Sequence, residues 1–124
     1  YKLETPFLKD SRHLNKTDRD ILLKIIEESP HKKILISHGT MTLSGTHAFL
    51  KEKISLLPTK TVVLFGANTP WSQFDSDAGI NLGFALGVCL YAPAEVYIAM
   101  NGILLKSLSC KIDGTWKTTD DINK

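Results

Sequence analysis

After the apolar run Ile34 to Ile36 the chain reads SHGTMTLSGTH over residues 37–47, setting Thr40, Thr42, Ser44 and Thr46 beside His38 within ten positions. Two kinds of chemistry suit such a cluster. A threonine hydroxyl attacks a carbonyl when a base takes its proton. Alternatively, hydroxyls together with the free N–H groups of a helix N-terminus hold the carboxylate of a small polar ligand. A structural reading stays open beside both: Thr40, Thr42 and Ser44 cap the following helix, Gly39 permits a tight turn, and His38 ends a strand with its ring hydrogen-bonded.

Two further segments carry the same types. Asp10 and Ser11 lie in a polar stretch from Lys9 to Lys16, and GANTPWSQFDSDAG over residues 66–79 supplies Ala67, Asn68, Thr69, Ser72, Asp75 and Asp77. In the structural reading, Asp75 and Asp77 are the N-cap and a first-turn acid of the next helix, and Asn68 is a turn former.

The flanking patterns say how these loops are carried. Lys2 to Leu8 alternates weakly and reads as a strand. Thr17 is the expected N-cap of a helix from Asp18 to Glu28, with Asp18 and Asp20 in its first turn, Ile21, Leu22, Ile25 and Ile26 at helical spacing, and Pro30 closing it. Lys33 to Ser37 reads as a strand, Ser44 to Leu56 as a helix stopped by Pro58, Thr61 to Phe65 as a strand, and Asp77 to Tyr91 as an apolar helix. Glu95 to Met100 is the next strand, and Asn101-Gly102 is a turn signal before Ile103 to Leu108. The polar tail from Asp113 reads as a frayed end or a linker.

Strands alternating with helices predict βαβ units. The runs ILI, VVLF and VYIAM lack the alternation of a sheet with one wet face. The expected fold is therefore an α/β three-layer sandwich around a mostly parallel sheet. In such a sheet ligands bind outside the carboxyl ends of the strands, and that rule selects the three loops already singled out.

Composition narrows the partners. The chain has 124 residues and a net charge of +2 with both signs interspersed, which gives no concentrated field for nucleic acid or anionic lipid. Residues 78–94 carry no charge, but Asn81, the glycines and Pro93 dilute them below the ~20 apolar residues of a membrane span, so a buried helix is expected. Cys89 and Cys110 match no zinc spacing and read as thiols of a reducing compartment, the cytoplasm. The four histidines form no ligand pair. Neither a P-loop, a dinucleotide fingerprint nor a GxSxG elbow is present, so no metal or cofactor is expected.

With these residues in place, the chain resembles the bacterial-type L-asparaginases. HGTMT at 38–42 is similar to their HGTDT segment, GANTP at 66–70 to their TGAMRP loop, and DSDAGINL to the Asp-to-Asn-Leu stretch that follows. KDS at 9–11 and YIAMNG at 97–102 match in order, and the resemblance is strongest to compact one-domain members.

The resemblance implies hydrolysis of the side-chain amide of L-asparagine, or a similar amide, through an acyl-enzyme. It assigns Thr40 as the nucleophile or water-positioning hydroxyl, Ser11 as the group on the substrate's α-carboxylate, and Ala67 as the residue whose backbone lies near the substrate amide; Thr42, in the same loop as Thr40, is expected to join them as a substrate contact. The resemblance also implies a lysine serving the threonine, and Lys111 is the expected counterpart.

This chain departs from the pattern at three points. No GGT motif is present, so a single asparaginase-like domain over residues 1–124 is expected without the GGT-bearing first strand and without the family's C-terminal domain. Met41 stands at the substrate-contacting position where the family has aspartate, and a thioether makes no charge-assisted hydrogen bond to an ammonium. The lysine has no anchoring motif, and Lys106 lies close to Lys111. The implied assembly is a homodimer or higher homo-oligomer. The alternative is an impaired homologue that binds a small molecule or serves as a scaffold.

Overall fold

The computed structural model describes residues 2–7 and 10–105, together with the backbone of 109–112 and 115–118. Three parallel strands, β1 (Lys33–Ser37), β2 (Thr61–Phe65) and β3 (Glu95–Met100), stand side by side in that order. A fourth, β4 (Ile103–Leu105), adds antiparallel to β3. Helices α1 (Lys16–Glu28), α2 (Leu43–Glu52) and α3 (Ala78–Tyr91) cover the sheet.

The alternation of side chains along each strand sends one set to each face. Val62, Leu64, Val96, Ile98 and Met100 meet Leu23 and Ile26 of α1 and Leu43 and Leu50 of α2. Val63, Phe65, Tyr97 and Ala99 meet Ala85 and Cys89 of α3 on the other face. Every residue of β2 is buried, as a central strand between two helical layers must be. The three-layer α/β expectation holds.

The route between layers is unusual. The connections β1–α2–β2 and β2–α3–β3 step the same way across the sheet, yet α2 and α3 lie on opposite faces. The two crossovers therefore have opposite hands, whereas ~98% of such connections are right-handed.

Several boundaries differ from expectation. Residues 2–7 form no strand; Pro6 lacks an N–H for a ladder, and Leu3 is exposed. The cap of α1 is Asn15, not Thr17: its side chain accepts from the Asp18 N–H at 3.0 Å, and the Asp18 carboxylate accepts from the Asn15 N–H at 3.1 Å. That reciprocal capping box satisfies two donors where threonine two residues on would satisfy one. Helix α2 ends at Glu52, and a short 3-10 turn, Ile54–Leu56, fills the distance to Pro58. Within the expected frayed end, residues 115–118 are ordered instead as β6 (Thr115–Thr118), paired antiparallel with β5 (Ser109–Ile112); the rest of the tail from Asp113 lies outside the described residues.

The Asn101-Gly102 turn forms as expected, with both residues at positive φ, 52° and 73°. No helix among the described residues is long and apolar enough to cross a membrane.

Candidate functional site at the carboxyl rim

The carboxyl ends of β1, β2 and β3 lie in register, with Ser37 opposite Phe65 and Leu64 opposite Ile98. Pairing continues one residue past the strands, where the His38 N–H donates to the Phe65 carbonyl at 2.9 Å. The loops after these strands therefore emerge along one edge.

Ser11 arrives there from a different element. Asp10 caps the 3-10 turn Ser11–His13 by accepting from the Arg12 N–H, and the Arg12 guanidinium grips the same carboxylate. The Arg12 hydrogen bonds hold the exposed Asp10 carboxyl at about 2, below its ordinary value. Ser11 itself is buried and packs directly on Gly39: a Cβ at that glycine would stand 2.8 Å from both Ser11 Cβ and Oγ. Glycine is needed for that approach.

Thr42 completes the junction. It occupies the N-cap position of α2 but makes no side-chain cap bond; its hydroxyl donates instead to the Ser11 carbonyl at 2.8 Å. Gly66 is as tightly placed, since a Cβ there would lie 2.4 Å from the His38 carbonyl oxygen and 3.2 Å from Thr40 Cγ2. Ser11, Gly39, Thr40 and Gly66 thus form one continuous row.

His38 stands behind the row. One ring nitrogen, Nδ1, is 2.7 Å from the Gly39 carbonyl, and Nε2 is 2.8 Å from the Thr46 hydroxyl. Thr46 also accepts from Arg19 Nε at 3.0 Å. These partners are all satisfied when Nδ1 carries the proton and Thr46 donates to Nε2. Burial lowers the His38 pKa, the Gly39 carbonyl opposes this and the Arg19 charge reinforces it. With both nitrogens engaged, the ring supports the turn.

The third loop is held from within. Asp77 sits at the N-cap of α3, but its carboxylate turns back and accepts from the Asn68 and Thr69 N–H groups at 3.1 and 2.9 Å. Burial raises the Asp77 pKa, but those backbone donors and Asn81 outweigh it and leave the carboxyl below its ordinary value. Asn81, fully buried in α3, donates to the Gly66 carbonyl at 3.0 Å and accepts from the Asn101 N–H at 2.9 Å. One amide ties the ends of β2 and β3 together.

Of the residues expected from sequence, Ser11, Thr40, Thr42 and Ala67 come together at this rim. Met41 is exposed beside them. Lys111 lies in β5, opposite Trp116, and its side chain, like that of Cys110, is outside the described residues. Cys89 is buried, and burial raises its thiol pKa. Among the described residues no group of histidine, cysteine and carboxylate side chains could hold a metal ion.

Sequence reasoning did not single out Asn81 or Arg19 for the site, and it counted Thr46 among the clustered hydroxyls without giving it a role. Asn81 had a signal, an amide on the buried stripe of an otherwise apolar helix. The bond between Arg19 and Thr46, 27 residues apart, had none.

Fold and rim together define an α/β domain that presents its polar residues at the carboxyl edge of a parallel sheet, where such domains bind small ligands. The chain matches the asparaginase N-terminal family model over residues 1–118 and belongs to that family. Among solved structures it is similar to L-asparaginase I from Vibrio cholerae O1 biovar eltor strain N16961, at 26% identity and a TM-score of 0.76. The likeness covers 90% of this chain and 36% of that one, so this chain spans about a third of its relative's length. A search of curated proteins finds no match.

Proposed function

We propose that this domain hydrolyses the side-chain amide of L-asparagine to aspartate and ammonia. The observation that carries the reading is the convergence of Ser11 and Thr40 on one rim through Gly39, with Thr42 bonded across to the Ser11 carbonyl. Membership of the asparaginase family and the likeness to an L-asparaginase support it.

In this reading Thr40 Oγ1 attacks the carboxamide carbon, and the C–N bond breaks as ammonia leaves with a proton. Water then hydrolyses the threonyl ester to release aspartate and regenerate the hydroxyl. Ser11 holds the α-carboxylate, Ala67 lines the amide side, and Thr42 acts by fixing the Ser11 turn. His38 is not assigned as the base, because both its nitrogens are taken. That part goes to Lys111. Assembly as a homodimer or higher oligomer belongs to the same proposal, since β1 is an outer strand of the four-stranded sheet and leaves one side of its backbone unpaired within it.

The test is ammonia release from L-asparagine by purified protein and by Thr40→Ala. Loss of turnover in the variant is expected. Equal release from both would remove Thr40 from the mechanism.

One observation favours a second reading. Met41, largely exposed where the family carries aspartate, offers no carboxylate to a substrate ammonium. The domain would then bind a small molecule without turning it over. Calorimetry with amino acids and short amides separates the two, because heat without ammonia supports the binder.

A further inference from the structure

Next to the hydroxyl row the surface changes character. A concavity of about 430 Å³ opens at the ends of β1 and β2, and its lining includes Phe65, Ala67, Trp71 and Leu82 together with His38 and Gly66. Several of the polar groups near it are already engaged. Both His38 nitrogens are bonded, the Asn68 and Thr69 N–H groups go to Asp77, and the Gly66 carbonyl and N–H go to Asn81 and Met100. Trp71 lies against α3, 3.8 Å from where a Cβ on Gly79 would stand, and is 69% exposed. A ligand entering here meets chiefly apolar surface.

The concavity adjoins the hydroxyl row. Gly39, on which Ser11 packs, and Gly66, against which Thr40 Cγ2 stands, both line it, together with Ala67 and Trp71. A substrate with its carboxylate at Ser11 and its carboxamide at Thr40 therefore lies beside this apolar surface, within reach of a group carried on the amide nitrogen. The ammonia of free asparagine fills none of the concavity.

We propose that the preferred substrates are secondary amides of the aspartate side chain, whose leaving amine carries an aromatic or branched apolar group seated against Trp71, Phe65 and Leu82. This rests on the hydrolase reading above. The reaction balances in the same way: Thr40 Oγ1 bonds to the carbonyl carbon, the C–N bond breaks, and the apolar amine departs with the proton. Water then cleaves the ester to aspartate. Burial of the apolar group supplies binding that a primary amide lacks.

The experiment compares L-aspartic acid β-(4-nitroanilide), followed by release of 4-nitroaniline, with L-asparagine, followed by ammonia, in the full chain and in Trp71→Ala. The expected result is a kcat/KM for the anilide at least tenfold above that for asparagine, with the ratio collapsing in Trp71→Ala. A ratio of one or less, or a preference that survives in the variant, overturns the inference while leaving the hydrolase reading intact. Should neither amide be cleaved, the hydrolase reading fails by itself. The subsite is then judged by the emission of Trp71 in a Trp116→Phe background. A saturable change with the β-anilide and none with asparagine supports it, and no change overturns it.

Discussion

The Thr42 hydroxyl donates to the Ser11 carbonyl at 2.8 Å, joining turns 31 residues apart in the chain. Because Ser11 has no strand of its own to hold it, this bond and the packing on Gly39 set where its side chain stands. Thr42→Val removes the donor and keeps the shape. A loss of ~0.5 to 1.5 kcal/mol in stability is expected, the usual worth of one such bond. Urea unfolding measures it, and Thr42→Ser should recover most of the loss.

Asn81 carries a larger share. Replacing it with alanine leaves the buried Gly66 carbonyl and the half-buried Asn101 N–H without their partner. A buried unpaired group costs about 1 to 3 kcal/mol and a half-buried one less, so Asn81→Ala should lower stability by about 2 to 4 kcal/mol in all. The midpoint of denaturant unfolding should fall with an unchanged slope, and a drop of a few tenths of a kcal/mol would contradict the role given to this amide.

The two rim glycines differ in how much room a methyl group would find. At Gly66 it meets backbone, the His38 carbonyl oxygen at 2.4 Å; at Gly39 it meets the Ser11 side chain at 2.8 Å. Backbone yields less than a side chain. Gly66→Ala should cost about 2 to 3 kcal/mol, as overpacking does. Gly39→Ala should cost less stability but displace Ser11, and with it weaken ligand binding, which thermal shift and calorimetry on the two variants would compare.

Acid should loosen the domain through His47. The ring is fully buried on α2, with Nε2 on the Val96 carbonyl at 3.1 Å and Nδ1 without a hydrogen-bond partner. Burial lowers its pKa, the Val96 carbonyl and Glu95 oppose this, and Lys51 adds to it. With the folded-state pKa below the unfolded one, the unfolded chain takes the proton first, so stability falls as pH drops below about 6.5. His38, lowered by its own burial, contributes in the same direction. His47→Gln retains a donor for Val96 and does not titrate. Its unfolding midpoint should vary less between about pH 7 and 5.5 than the wild-type midpoint; parallel curves would assign the slope elsewhere.

The strands and the rim loops were legible for local reasons. ILI, TVVLF and EVYIAM are short apolar runs between turn formers, and Asn-Gly is the pair that tolerates two successive positive φ angles, so β1, β2, β3 and the turn to β4 follow from nearest neighbours. The sequence also determined that hydroxyls would gather at the loop after β1. Their assignments were not local. Thr42 reads as a cap until Ser11 is placed beside it, Asp77 reads as a cap until its loop folds back over it, and Lys2 to Leu8 reads as a strand although its described residues, 2–7, join no ladder.

What the sequence by itself determined is therefore the set of elements, the parallel sheet they must form and the edge at which polar side chains collect. Only the tertiary structure decided that α2 and α3 take opposite faces, that Arg19 reaches His38 through Thr46, and that apolar walls adjoin the threonine row. The division has a physical cause. Strand and helix preferences are set by a residue and its near neighbours, whereas a hydrogen bond across 27 or 31 residues exists only once the whole sheet has fixed where both partners stand.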